Sequence, residues 1–327
     1  MPTHDPSRWK TVAAFSVIYF VWGSTFLAIR VSVQQIPPLL CAAIRFFIAG
    51  GVLYLLMLVC GKPSPTRRQW SGCLAMAVLF FVGYYGFLFW AEQRVASGIA
   101  AIMLATIPAF TALSEVILLR TQRLTFRLAL ALAIGFGGVA ALVNHSLNLG
   151  GAPISRTGAV ALLVAAFDWS LASVLSRKLA LPSSKAMSAA SQMVTGGALL
   201  FIAAALSGEF RHFRPLAVTA GGWLALLYLI VAGSIMGFTA YLWLLHHQSP
   251  TLVGTYAYVN PVVAILIGYF FAGEPLSLRT TVGSALVLIS VIVIATTRSP
   301  ITNGSSGSSL STRICPNLSQ KISENGG

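Results

Sequence analysis

Asp168 and Trp169 stand side by side about halfway along an apolar run from Thr157 to Ser176. A carboxylate at that depth in hydrocarbon is costly unless it faces water or a partner. Asp168 therefore reads either as a ligand for a substrate amine or as a carboxyl protonated or hydrogen-bonded between helices. Glu115 poses the same question within Ser97 to Leu119, without an aromatic neighbour. Arg45, inside Leu39 to Cys60, reads first as a structural cation reaching a carboxylate or a helix end, and second as a substrate contact. Aromatic and small polar residues accompany these few charges: Trp22 with Ser24, Tyr85, Ser173 after Trp169, and Tyr258 with Asn260. Facing one cavity, they would form a broad apolar surface with a few hydrogen-bonding groups. Such a surface suits a flat or aliphatic side chain on a small zwitterion, and suits sugars and highly charged anions poorly. Trp22, Ser24, Tyr85, Asp168, Trp169, Ser173, Tyr258 and Asn260 are accordingly the expected substrate-binding residues.

Other chemistry is absent from the sequence. No Walker loop, nucleophile elbow or zinc-binding His-Glu-x-x-His appears, and no histidines, cysteines or carboxylates have metal-ligand spacing, so no catalysis, metal or cofactor is expected. Cys41, Cys60 and Cys73 read as small apolar packing residues and, like Cys315, as unpaired. His246 and His247 close an apolar run and read as interfacial anchors, since adjacent helical residues point in different directions. Glu92 and Glu274 fall at the ends of runs, where each should cap or pair with a loop group.

The elements that must position these residues follow from composition. With 57% hydrophobic and 9% charged residues, the chain lacks the polar side chains to coat a water-soluble globule. It reads as a polytopic membrane protein whose first partner is the lipid bilayer. The net charge of +14 is scattered between apolar runs rather than gathered in one patch, which argues against a nucleic-acid partner. The run from Thr11 to about Ile29 is too long for a signal-peptide core and reads as a retained span. Ten such runs follow one another, apolar on every side, which excludes the alternation of an outer-membrane barrel. The Ser-, Gly- and Asn-rich residues 299–327 read as a disordered tail.

The runs divide into two copies. Trp243 falls on Trp90 and Pro261 on Pro108 at an offset of 153, while Trp169 falls on Trp22 and Gly197 on Gly50 at 147. Residues 1–145 and 157–298 thus read as two five-helix repeats. Twelve Lys and Arg, among them Arg8, Lys62, Arg67, Arg68 and Lys185, lie in connections on one side, against six on the other, including Arg30, Arg94 and Arg279. The excess places both termini in the cytoplasm. An odd number of spans per copy then inverts the second repeat, a construction common among secondary transporters, with the site near the bilayer midplane. Pro108 and Pro261, equivalent in the two copies, read as hinges or as static kinks.

The stretches WGSTFLAIR (Trp22 to Arg30), PPLLCAAIRFFIAGG (Pro37 to Gly51) and AYVNPVVAILIGYFFAGEPLS (Ala257 to Ser277), with the paired five-span copies, resemble the EamA family of the drug/metabolite transporter superfamily. That resemblance covers about residues 11 to 297. It implies a ten-helix inner-membrane exporter of amino acids or other metabolites, with a central cavity lined mainly by spans 1, 3, 4, 6, 8 and 9. Gln122 where the second copy has Glu274, and Gln192 where the first has Arg45, make the halves chemically unequal. The expectation is export of aromatic and neutral hydrophobic amino acids by a monomer working through alternating access, by facilitated diffusion. A proton-driven multidrug or metabolite exporter is the alternative, and a membrane scaffold without transport is a distant one.

Overall fold

In a bilayer every backbone N–H and C=O must be satisfied within the protein, so an apolar chain of this kind folds into helices. The computed structural model describes residues 8–119, 124–143, 154–176, 178–248, 253 and 255–297, and the expected tail at 299–327 lies outside them. Among the described residues the order is α1 Arg8–Val33, α2 Pro38–Val59, α3 Arg67–Glu92, α4 Ser97–Ile117, α5 Phe126–Val143, α6 Arg156–Leu175, α7 Lys185–Leu206, α8 Ala220–Leu244, α9 Tyr256–Ala272 and α10 Leu278–Thr296. All but α9 have the length and apolarity to cross a membrane. With 17 residues α9 extends about 25 Å at 1.5 Å per residue, at the short end of the spanning range. Val59, Phe126, Leu206, Phe270 and Phe271 are exposed, an apolar exterior that only lipid can cover.

The chain is an all-α membrane protein of two inverted five-helix repeats, and the packing shows the inversion. A β-carbon on Gly50 of α2 would stand 2.6 Å from the Val194 nitrogen of α7, and one on Gly197 of α7 would stand 2.5 Å from the Phe47 nitrogen of α2. These contacts interchange at the 147-residue offset, so α2 and α7 cross antiparallel about a pseudo-twofold axis, brought close by small residues. At the last pair, a β-carbon on Gly283 of α10 would meet the Gly138 carbonyl of α5 at 3.1 Å. The Ser290 hydroxyl of α10 in turn donates to the Ala131 carbonyl of α5 at 2.6 Å. Between these pairs the repeats interlock: α3 lies on α6, and α8 lies on α1 and α2.

Among the described residues, four spans depart from regular α geometry. π-helical stretches occupy Val17–Val21 in α1, Val78–Gly86 in α3, Glu115–Leu119 in α4 and Leu229–Met236 in α8. Those in α3 and α8 overlap at the repeat offset, and such widened turns are frequent at functional sites. α4 is also interrupted, with helix at Ser97–Leu104 and again at Ile107–Ser114. Pro108 stands in the first turn of the second segment, where its missing N–H costs nothing. Its counterpart Pro261 lies inside the unbroken α9.

Carboxylates of the second repeat cap helices of the first, on the face opposite the start of α1. Gly273, at φ +62°, ends α9 in the left-handed conformation, and the Glu274 N–H returns to the Gly268 carbonyl at 3.0 Å. This turn aims the Glu274 carboxylate at the start of α4, where it accepts from the Ser97 N–H and hydroxyl at 2.8 Å each and the Gly98 N–H at 3.1 Å. Gly268 leaves room for it, since a β-carbon there would be 2.5 Å from Oε2. Glu209, in the turn after α7, accepts from the N–H groups of Leu39 and Leu40 at the start of α2, at 3.3 and 2.9 Å. Burial pushes the Glu209 carboxyl above its ordinary value, opposed by those two N–H groups. The expected capping role of Glu274 is present. Glu92 departs from expectation: it is 0% exposed, and neither carboxylate oxygen has a hydrogen-bond partner among the described residues.

Candidate functional site

The interlocked repeats enclose a cavity of about 460 Å³ between the halves. That falls within the ~300–1,000 Å³ of small-molecule pockets. Two tryptophans at equivalent positions of the repeats line the cavity, each packed on different helices. Trp22 of α1 leans on the π-helical stretch of α8, its indole N–H donating to the Gly233 carbonyl at 3.0 Å. Its ring meets Tyr256 at 5.1 Å edge-on and Tyr241 at 5.3 Å. Trp169 of α6 leans on the π-helical stretch of α3, 4.6 Å from Tyr84 and 4.7 Å from Phe80. Between them the wall is completed by Thr25, Phe26 and Ile29, by Tyr85 and Leu88, by α4 from Ala101 to Thr111, and by Tyr258.

One charge reaches this wall. Arg45 of α2, about 10 Å inside its helix at 1.5 Å per residue, is 4% exposed and lines the cavity. Its Nε donates to the Ser234 hydroxyl at 3.0 Å, and its guanidinium carbon lies 4.7 Å from the centre of the Phe46 ring and 5.6 Å from that of Tyr85. Nη1 has no hydrogen-bond partner, and no carboxylate pairs with the group among the described residues. Gly233 admits it: a β-carbon there would be 3.2 Å from Nη2. The equivalent residue, Gln192, turns its amide to the Ser188 hydroxyl one turn back at 2.9 Å and does not line the cavity.

Five of the eight expected residues line this cavity: Trp22, Tyr85, Trp169, Tyr258 and Asn260, with both prolines, Pro108 and Pro261. Asn260 is already engaged. With its amide nitrogen turned toward α1 it donates to the carbonyls of Ile18 and Tyr19, at 3.2 and 3.1 Å, inside the first π-helical stretch. Ser24, Asp168 and Ser173 are not among the lining residues. The Ser24 hydroxyl bonds Tyr228 at 2.6 Å and the Val21 carbonyl at 2.9 Å, and Ser173 donates back to the Trp169 carbonyl at 2.8 Å. Asp168, about 100° around α6 from Trp169, lies over Gly83 of α3, where a β-carbon would come within 2.5 Å of its Oδ2.

The EamA-like transporter family matches the chain twice, over residues 9–144 and 156–296. The chain belongs to this family. Among relatives of the EamA-like chain is the "Uncharacterized inner membrane transporter YedA" of Escherichia coli strain K12, 35% identical over 283 residues, covering 86% of this chain and 89% of that one. An "Uncharacterized transporter" of Archaeoglobus fulgidus is 28% identical over 297 residues, covering 88% and 98%. "Protein PecM" of Dickeya dadantii is 26% identical over 276 residues, covering 84% and 88%. A solved structure 21% identical in sequence superimposes with a TM-score of 0.57 over 88% of this chain and 98% of its own, which shows the fold alone.

In this EamA-like transporter, polar contacts join span ends on the face opposite the start of α1. The Arg30 guanidinium lies 3.6 Å from the Glu274 carboxylate and donates to the Val95 carbonyl. Gln93 donates to the Val33 carbonyl at 3.0 Å, and Gln35 accepts from the Thr219 N–H and hydroxyl at 2.8 Å each. Sequence reasoning expected Arg45 to reach a carboxylate or a helix end and did not single out Ser234, the hydroxyl to which it donates. The available signal was a guanidinium in mid-span with no acid three or four residues away on its own helix. The Gly233 and Gly237 pair reads in sequence as a helix-approach motif, yet it makes room for side chains: Arg45 and Thr25 at the first, Trp22 at the second.

Proposed function

We propose that the protein exports aromatic and other neutral hydrophobic amino acids by alternating access, with loose selectivity. It does so as a single ten-helix chain in the inner membrane, both termini cytoplasmic. The observation that carries this reading is the pair of pseudo-symmetric tryptophans facing one cavity, which offers flat apolar walls to a side chain and few polar groups to anything larger. YedA, described as an inner membrane transporter, supports the location. The Arg30, Glu274, Gln35 and Gln93 contacts are the closed gate, and moving substrate across requires them to break. Pro108, beside the interruption of α4, is the proposed hinge.

The test is counterflow of labelled phenylalanine or tryptophan in liposomes carrying the purified protein. Alanine at Trp22, Tyr85, Trp169 or Tyr258 is expected to lower flux well beyond any loss of protein. Normal flux in all four variants would remove the physical basis of the substrate assignment.

Facilitated diffusion is the primary mechanism. Exchange against protons is the second reading, and Glu92 favours it over the sequence candidate Asp168. Glu92 is wholly buried, its carboxylate oxygens without a hydrogen-bond partner among the described residues, and Arg30 and Glu274 of the closed gate are its electrostatic neighbours. Uphill accumulation driven by a pH gradient, abolished in Glu92→Gln, would establish it.

A further inference from the structure

Arg45 presents an incomplete ion pair. A guanidinium held inside a bilayer is expensive, and where it serves architecture alone a carboxylate or several carbonyls complete it. Here one hydroxyl and three aromatic rings surround it, Nη1 is unpartnered, and Arg45 is the sole charged residue on the cavity wall among the described residues. The hydroxyls of Tyr84, Tyr85 and Tyr256, all residues of the wall, likewise make no hydrogen bond to a described group. The Arg45 guanidinium and these hydroxyls therefore stand on the cavity wall with no carboxylate beside them among the described residues. The acid that could have offered a matching site for an amine, Asp168, is turned onto Gly83 instead.

We propose that Arg45 is the receptor for a substrate carboxylate, so that the cavity selects small monocarboxylates with an aromatic or aliphatic body, whether or not they carry an amine. This rests on the transporter reading and narrows its substrate class. The carboxylate takes the free edge of the guanidinium in a charge-assisted hydrogen bond, with a tyrosine hydroxyl as second donor, while the apolar body lies between Trp22 and Trp169. An amine contributes nothing, and a cationic amphiphile is repelled. Gln192, at the equivalent place in the other repeat, carries no charge, so the receptor belongs to one half and moves with it.

The experiment compares competitors of labelled phenylalanine in counterflow: 3-phenylpropionate, which lacks the amine, and phenethylamine and phenylalaninamide, which lack the acid. In the wild type 3-phenylpropionate is expected to compete comparably with phenylalanine, and the two amines to fail. In Arg45→Gln the affinity for 3-phenylpropionate is expected to fall about tenfold or more, with Arg45→Lys between. Equal competition by acid and amine, or undiminished acid binding in Arg45→Gln, overturns the assignment. The wild-type comparison decides even if Arg45→Gln fails to fold. Should the wild type move no phenylalanine, the export proposal falls by itself. Quenching of tryptophan fluorescence in the purified protein by 3-phenylpropionate, set against its amide, then decides on Arg45: preference for the acid supports the receptor, and none overturns it.

Discussion

Trp22 keeps its place because Gly237 lacks a side chain: a β-carbon there would lie 2.3 Å from the indole nitrogen. Gly237→Ala must push the ring off the Gly233 carbonyl and into the cavity, at an overpacking cost of about 1–3 kcal/mol. Flux should fall several-fold at normal membrane abundance, whereas Gly137→Ala, which meets nothing within 4 Å, should transport as the wild type. Asp168→Asn gives the complementary expectation. Because that carboxylate rests on Gly83 outside the cavity, its KM for phenylalanine should barely change, and a large rise would restore Asp168 to the site. At this scale the sequence disclosed the aromatic walls, since bulky rings in mid-span are few and both tryptophans recur at one offset. It grouped Ser24 and Ser173 with them, whereas neither lines the cavity, and the reason is local. A hydroxyl on a helix reaches the carbonyl three or four residues back, and Ser24 and Ser173 both do so. Nothing in one sequence distinguishes that bond from a substrate contact.

At the scale of elements, the turn after α9 couples two helices through one side chain. Glu274→Ala removes the acceptor for three donors at the start of α4 and leaves Arg30 without its carboxylate. The cost is about 1–2 kcal/mol, all of it on the closed state of that face. A cysteine introduced at Leu104, on the cavity wall, should then react faster with a membrane-impermeant maleimide applied from that face, and an unchanged rate would deny these contacts a gating role. Glu209 sets a pH dependence of definite sign. Its raised value means that the folded protein holds the proton to higher pH than the unfolded chain does. The associated stability is complete below the ordinary carboxylate value near 4.5 and is lost as pH rises through the folded value. Thermal unfolding of Glu209→Gln in detergent should lose that slope. Thr66 and Thr219 open equivalent spans as N-caps, a start signal that apolar runs alone did not reveal. The π-helical stretches were not legible either, because in a segment apolar on all sides an extra residue per turn leaves no mark on the periodicity.

For the whole molecule the duplication was the strongest signal in the sequence, and its physical cause is the bilayer. Spans of similar length and small residues where helices cross survive in both copies. The chemistry did not survive equally: Arg45 faces Gln192 across the pseudo-twofold, and one proline marks a broken helix while the other lies in an intact one. In the proposed alternating access, a molecule so built has two gates that are alike in architecture and different in sequence, and its direction in the membrane determines which gate meets the cytoplasm. In the proposed orientation, argued from the bias of Lys and Arg toward the face where α1 begins, that face is inside. Cys60, exposed just beyond the end of α2, is a native reporter on that face, and Ser207, just beyond α7, lies on the opposite one. In a Cys315→Ser background, intact cells treated with an impermeant maleimide should leave Cys60 unlabelled until they are permeabilised, while Ser207→Cys should label at once. The reverse pattern would invert the molecule, placing the Glu274 gate toward the cytoplasm and overturning the proposed orientation of the termini.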